Sequence, residues 1–142
     1  MAGTGSMTQD EREAFLAELH VAVIAVDEPG RGPLAMPIWY LYQDGQVLLS
    51  MATNSVKAQL LRAAGRATLT AQSETAPYQY VCVEGPVTIE PKFHDALELA
   101  TRYLGPEFGQ WYVDANPDTG ETVTVVLRPE HWRTHDYHKT LG

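Results

Sequence analysis

Hydrophobic and polar positions alternate most regularly between residues 34 and 52. Leu34, Met36, Ile38, Tyr40 and Tyr42 fall on one parity, and Ala35, Pro37, Trp39 and Leu41 on the other, the two-residue period of a strand. Asp44-Gly45 then interrupts the alternation with a dipeptide suited to a type I′ turn, in which both central residues take positive φ. Gln46 to Ala52 resumes it, with Val47, Leu49 and Met51 on one face. The pattern predicts one hairpin. Pro37 has no N–H and cannot complete a ladder, so it marks either a bulge or edge position, or an unpaired stretch where a flat ring can lie against the backbone.

The flanking pattern completes a mainly β chain. Thr8 and Glu11 have capping-box spacing and start a helix with Phe15, Leu16 and Leu19 on its apolar side. His20 to Val26 is a β-branched run, followed by a Pro/Gly turn over 28–33. Val56 to Ala64 predicts a short amphipathic helix ending at Gly65. Strands follow over 66–72 and 78–90, the second with a bulge signal at Gly85-Pro86. Phe93, Leu97, Ala100 and Leu104 mark a helix closed by Gly105-Pro106. Glu107 to Gly120, with Phe108, Trp111 and Tyr112 among turn residues, reads as irregular: a lid, a dimer contact or a packed loop. Thr122 to Arg128 is the last of six predicted strands. Residues 1–6 resemble an expression scar and are set aside, leaving one domain over 7–142.

Candidate chemistry concentrates at the corner after the hairpin, Thr53-Asn54-Ser55-Val56-Lys57. A helix start leaves backbone N–H groups unpaired and carries partial positive charge, so it receives an anion readily. Ser55 is placed either to cap the helix or to donate its hydroxyl to a phosphate, and Lys57 adds a mobile charge. Thr53, Asn54 and Ser55 are equally ordinary cap residues, and Lys57 an ordinary solvated lysine.

Composition narrows the partners. Ten basic against eighteen acidic residues give a net charge of −8, which argues against nucleic acid or anionic membrane; Arg62 and Arg66, near Lys57, form the one candidate basic pocket. No apolar run approaches a membrane span and no signal peptide is visible, so a cytoplasmic protein is expected. Cys82 is single and is expected to be a buried, inert thiol. His131, His135 and His138 lie in an extended segment, where two histidines four residues apart sit about 13 Å from each other, too far to share an ion. No metal site is expected, and no nucleophile elbow, Walker motif or dinucleotide fingerprint is present.

The order of Met36-Pro37-Ile38-Trp39-Tyr40, a DG hairpin, Ser50-x-x-Thr53-Asn54-Ser55-x-Lys57, a helix and Arg66-Ala67-Thr68-Leu69-Thr70 resembles the pyridoxamine 5′-phosphate oxidase-like split β-barrel superfamily. Within it, the likeness is greatest to the flavin/deazaflavin oxidoreductases that include users of coenzyme F420, and it runs from about Leu16 to Arg133. The resemblance implies a six-stranded split barrel with flanking helices, assembled as a homodimer. It implies a cofactor ring along Met36, Pro37, Ile38, Trp39 and Tyr40, further cofactor contacts at Ser50, Met51 and Ala52 at the end of the return strand, and a phosphate at Thr53, Ser55 and Lys57. The position matching Tyr80 lies near the site that the partner subunit closes; Tyr78, Tyr80 and the 108–112 aromatics also supply apolar surface for a dimer. Val56 departs from the namesake oxidases, which have an arginine beside the lysine, and their C-terminal substrate arginine and tryptophan lack the expected setting here. The implied activity is hydride transfer between reduced coenzyme F420 and a small organic substrate, with no catalytic side chain required. The alternatives are an FMN-dependent oxidase or reductase and a non-catalytic holder of a cofactor, haem or tetrapyrrole.

Overall fold

A computed structural model describes residues 4–93, 95–117 and 120–141. Eight strands form one antiparallel sheet: β1 Ala22–Val26, β2 Leu34–Ile38, β3 Leu41–Gln43, β4 Gln46–Ala52, β5 Arg66–Gln72, β6 Gln79–Pro91, β7 Thr122–Leu127 and β8 His131–Asp136. Their order is β2-β1-β5-β6-β7-β4-β3, with β8 also on β6. The strands at the two ends of this order, β2 and β3, are consecutive in the chain and separated only by Trp39 and Tyr40, so the sheet curls until these ends are joined. This is a mainly β split barrel with flanking helices.

The count differs from six for two reasons. The predicted strand 34–42 is two strands: β2 pairs with β1, from Ala22↔Ile38 to Val26↔Leu34, and only β3 forms the hairpin with β4 across the Asp44-Gly45 turn. Asp44 and Gly45 take φ of 51° and 75°, as the turn requires. The extended segment 131–136 is also a ladder strand, in register with Gln79–Glu84 of β6.

Strand β6 bridges the barrel. Its first half pairs with β5 and β8, and its second half with β7. The change of partner falls at Gly85-Pro86, where a Cβ on Gly85 would lie 1.8 Å from the Arg128 carbonyl oxygen. Only glycine allows the β7–β8 connection to pass so close.

Inward-facing Ile24, Val47, Leu49, Leu69, Val81, Val83, Val125 and Leu127 are almost wholly buried. Helix α1 (Gln9–Ala17) adds Phe15 and Leu16 to this core, and α2 (Val56–Ala64) adds Ala58 and Leu61. Each such valine, leucine, isoleucine or phenylalanine side chain is worth about 1.5–3 kcal/mol when fully buried. The expected capping box is present, with Thr8 Oγ1 accepting from Glu11 N–H at 3.2 Å and Glu11 Oε1 accepting from Thr8 N–H at 2.8 Å.

Outside the barrel, Leu41, Phe93 and Leu99 form a smaller cluster with Trp39, Leu48 and Tyr103. Helix α3 (Ala96–Leu104) supplies its cover. Most of the described part of the segment expected to be irregular is helical instead: α4 runs Pro106–Ala115, with Pro106 in its first turn, while positions 118 and 119 of that segment lie outside the described residues. Gly109 lets α4 approach α3 so closely that a Cβ there would lie 2.8 Å from the Thr101 backbone. A last turn, α5, spans His138–Leu141. The set-aside residues Gly5 and Ser6 pack on this end: the Gly5 carbonyl accepts from Asp136 N–H at 2.7 Å, and the Ser6 carbonyl from Lys139 at 2.9 Å.

Candidate functional site

Two features meet along β4. The first is a cleft of about 360 Å³ between the outer side of the sheet and the α3–α4 pair. Pro37, Ile38 and Trp39 line it from the end of β2, Ser50 from β4, and Val21 from the approach to β1. The opposite wall holds Phe93, Ala96, Leu99 and Ala100 from the α3 region and Tyr112, Val113 and Asn116 from α4. Ser50 faces this side because the inward parity of β4 belongs to Val47, Leu49 and Met51.

Trp39 is fixed by its neighbours. Tyr103 stacks on it at 4.8 Å, and Tyr112 meets it at 5.9 Å with a tilt of 54°. Pro37 sits on the edge strand opposite Val23, so its missing N–H needs no second partner strand.

The second feature is the corner. Ser55 caps α2: its hydroxyl accepts from Ala58 N–H at 3.1 Å and donates to the Ala52 carbonyl at 2.8 Å. This is the expected cap geometry for Ser55. Thr53 is also engaged, since Arg62 donates to its carbonyl at 2.7 Å and to its hydroxyl at 2.6 Å. Arg66 leaves the expected basic pocket altogether and pairs with Glu84 and Glu130. Lys57 is half-buried and has no hydrogen bond or ion pair among the described residues. The first-turn amides of Val56 and Lys57 have no backbone partner either.

Other expected site residues lie elsewhere. Tyr40 is enclosed in the core, its hydroxyl donating to the Leu16 carbonyl at 2.6 Å. Burial holds that phenol protonated, well above the usual tyrosine range. Its side chain cannot line a cofactor ring, and Met51 is likewise a core residue. Met36 pairs across β1 with the buried Ile24 but is 41% exposed on the open edge, outside the cleft lining. Ala52 is exposed at the start of the corner. Tyr80 is not among the residues that line the cleft; it pairs across the ladder with His135 and stacks on it at 6.2 Å.

Cys82, expected to be buried, is half-buried and lines a separate hollow with Thr68, Glu84, His131, Trp132 and Arg133. The α3–α4 wall was absent from the sequence-based site. The signals for it were Ala96 and Ala100 one turn apart, and Gly105-Pro106 as a helix start as well as a helix end.

The cleft can take a flat, largely apolar group. The corner offers a free cation and two free amides to an anion, on the same strand. The chain matches the sequence model of the pyridoxamine 5′-phosphate oxidase family over residues 8–136, and it belongs to that family.

Solved structures share the fold. A conserved hypothetical protein, Rv2991, from Mycobacterium tuberculosis aligns with a TM-score of 0.81 at 22% identity, covering 100% of this chain and 92% of that one. An F420 reductase aligns at 0.69 and 22% identity, covering 85% and 94%. An FAD-binding protein from Mesorhizobium loti aligns at 0.67 and 17% identity, covering 91% and 95%. No curated protein matches the chain. No helix among the described residues is long and apolar enough to cross a membrane.

Proposed function

We propose that the protein is an oxidoreductase that binds coenzyme F420 and passes a hydride between the reduced cofactor and a small organic substrate. The observation that carries this reading is the placement of cleft and cationic corner on one strand. Ser50 faces the cleft, and Thr53 begins the corner three residues later, about 10 Å on at the rise of a strand. A polyol chain linking a tricyclic ring to a phosphate spans such a separation.

The residues present fit this group. Pro37, Ile38 and Trp39 would flank the ring, with Ser50 offering one hydrogen bond. Lys57 and the free amides of α2 would receive the phosphate, a charge-assisted contact at a helix start. The cofactor, when bound, supplies the hydride chemistry. The chain binds it, orients its face and, through α3 and α4, keeps water from the ring. No side chain need act as acid, base or nucleophile.

F420 is preferred to FMN because Lys57 is the sole free cation among the described residues of the corner. Val56 stands beside it, and Arg62 is turned onto Thr53. The likeness to an F420 reductase supports the choice. A homodimer completes the proposal: the outer sheet face exposes Val21, Val23, Tyr78 and Tyr80, apolar surface that the monomer leaves uncovered.

Parallel titrations with oxidised F420 and with FMN test the cofactor. F420 is expected to bind at least tenfold more tightly; the reverse order, or a protein purified yellow with FMN, assigns the site to FMN. Reduced F420 on the protein should then be oxidised faster than free F420 when an electron acceptor is added. Equal rates would make the protein a cofactor carrier without turnover.

A further inference from the structure

Helices α3 and α4 leave the barrel and return to it at one place. The strands before and after them, β6 and β7, are paired neighbours, with Pro91 opposite Val123 at the end of their ladder. The two legs of the helical hairpin therefore stand side by side. Each carries a left-handed residue: Lys92 at φ 66°, a conformation that strains a residue with a side chain, and Gly120 at φ 85°. Both legs are moored to the barrel there. Thr124 Oγ1 donates to the Lys92 carbonyl at 2.6 Å, and Thr53 N–H, in the cationic corner, donates to the Glu121 carbonyl at 2.6 Å.

Beyond these moorings the two helices hold to each other. The close approach of Gly109 to the Thr101 backbone joins them into one body. Their hold on the barrel is thinner. Its apolar part is the cluster of Leu41, Phe93 and Leu99, separate from the main core, and the cleft of about 360 Å³ lies beneath the pair. At the end of α3 remote from Lys92 the fastening is polar: Arg102 donates to the Leu16, Ala17 and Glu18 carbonyls, and Tyr103 to the His20 carbonyl. Carbonyls at a helix end accept from water when the guanidinium leaves. An element with little buried apolar contact opens at a lower free energy than the domain unfolds.

We propose that the α3–α4 hairpin is a lid, which swings as one body about Lys92 and Gly120 and is latched shut over the cleft by Arg102 and Tyr103. A few residues at the ends of elements absorb such a hinge motion. Opening carries Ala100, Tyr112 and Val113 away from Pro37, Ile38 and Trp39 and admits a ligand between the two walls. What the lid admits rests on the reading of the cleft as the cofactor and substrate site; whether it opens is measured on the protein alone, so the two fail separately.

Thiol access without cofactor tests the lid. In a Cys82→Ser background, Ala100→Cys places a probe on α3 facing the cleft, where Ala100 is 2% exposed. Ala71→Cys places another in the barrel core, at 0%. With an aromatic disulfide reagent, the α3 thiol is expected to react about a hundredfold faster than the core thiol. Its rate should stay nearly flat in urea, because a lid exposes little surface, while the core rate rises steeply. Arg102→Met, which removes the latch donors, should raise the α3 rate about tenfold. The Ala100 and Thr101 amides should stay protected from hydrogen exchange about tenfold beyond the thiol, since the helices remain wound as the pair swings.

Equal rates for the two thiols, an α3 rate that climbs with urea as the core rate does, or an α3 rate unchanged by Arg102→Met would overturn the lid. So would α3 amides that exchange as readily as the thiol reacts, which would mean that α3 unravels instead of swinging. The rate ratio, the urea dependence and the amide exchange need no latch variant, so they decide the matter even where Arg102→Met fails to fold.

Discussion

Tyr103 stacks on Trp39 with centroids 4.8 Å apart and planes 3° from parallel, and its hydroxyl ties the same corner of the barrel together. That hydroxyl donates to the His20 carbonyl at 2.6 Å and accepts from Tyr40 N–H at 3.1 Å. Trp39 and Tyr40 are the two residues between β2 and β3, where the sheet's ends join. A residue of α3 thus holds the seam of the barrel and one wall of the cleft at once. Arg102 beside it donates to the Leu16, Ala17 and Glu18 carbonyls at the end of α1, fastening the helix pair to the barrel.

Tyr103→Phe keeps the stack and removes the hydroxyl's hydrogen bonds. The Tyr40 N–H and His20 carbonyl then lose their partner, so stability should fall by about 1–2 kcal/mol. Urea denaturation should show a lower midpoint with an unchanged slope. An unchanged midpoint would mean that water replaces the hydroxyl at no loss.

Gly85→Ala should be far more damaging. The added carbon would meet backbone, the Arg128 carbonyl at 1.8 Å, where β6 exchanges β5 for β7. Backbone on one strand or the other must move, and the loss should exceed about 3 kcal/mol. Gly32→Ala is the control, with open space around it and no positive φ; its effect should stay within about 0.5 kcal/mol. Similar midpoints for the two variants would show that the crossover is not sterically limited.

Local rules carried much of this fold in the sequence. The capping box of Thr8 and Glu11, the Asp44-Gly45 turn, the Ser55 cap and the left-handed Gly65 after α2 all appear where residue chemistry places them. The break at Trp39-Tyr40 was not legible, because the alternation runs through it unbroken. Which neighbour a strand chooses is a long-range matter that period alone does not encode. Tyr40 shows the same limit: adjacent to cleft residues in sequence, it turns inward to reach Leu16. Helix α4 was hidden by Gly109, whose poor helix propensity is offset by the close approach to Thr101 that it permits. The corner was legible as a constellation, but that Arg62 would engage Thr53 while Lys57 stayed free required the geometry.

Acid should loosen the first helix. Hydrogen bonds from Lys139 and from the Thr8 backbone hold the Glu11 carboxyl below the usual carboxylate range. A depressed folded-state pKa contributes stability that is complete above the unfolded value, near 4.3, and is lost as pH falls through the folded value. Glu11→Gln should therefore melt below wild type at pH 7, and the gap should close progressively below about pH 4. Parallel melting curves that never converge would show that the capping geometry, not the charge, carries the effect.

The phosphate corner is tested by separating charge from cap. Lys57 has no partner among the described residues, so Lys57→Ala should change stability by less than about 0.5 kcal/mol. If its ammonium receives a cofactor phosphate, the variant loses a charge-assisted contact of about 1.5–3 kcal/mol, and F420 affinity falls on the order of ten- to a hundredfold. Ser55→Ala should behave oppositely. Its hydroxyl is engaged with Ala58 N–H and the Ala52 carbonyl, so about 1 kcal/mol of stability goes with the cap while affinity drops less than for Lys57→Ala. The comparison belongs at low salt, where the lysine's charge is least screened. Equal F420 affinities for wild type and Lys57→Ala there would take the phosphate away from this corner and leave the cleft without an anchor for the cofactor's tail.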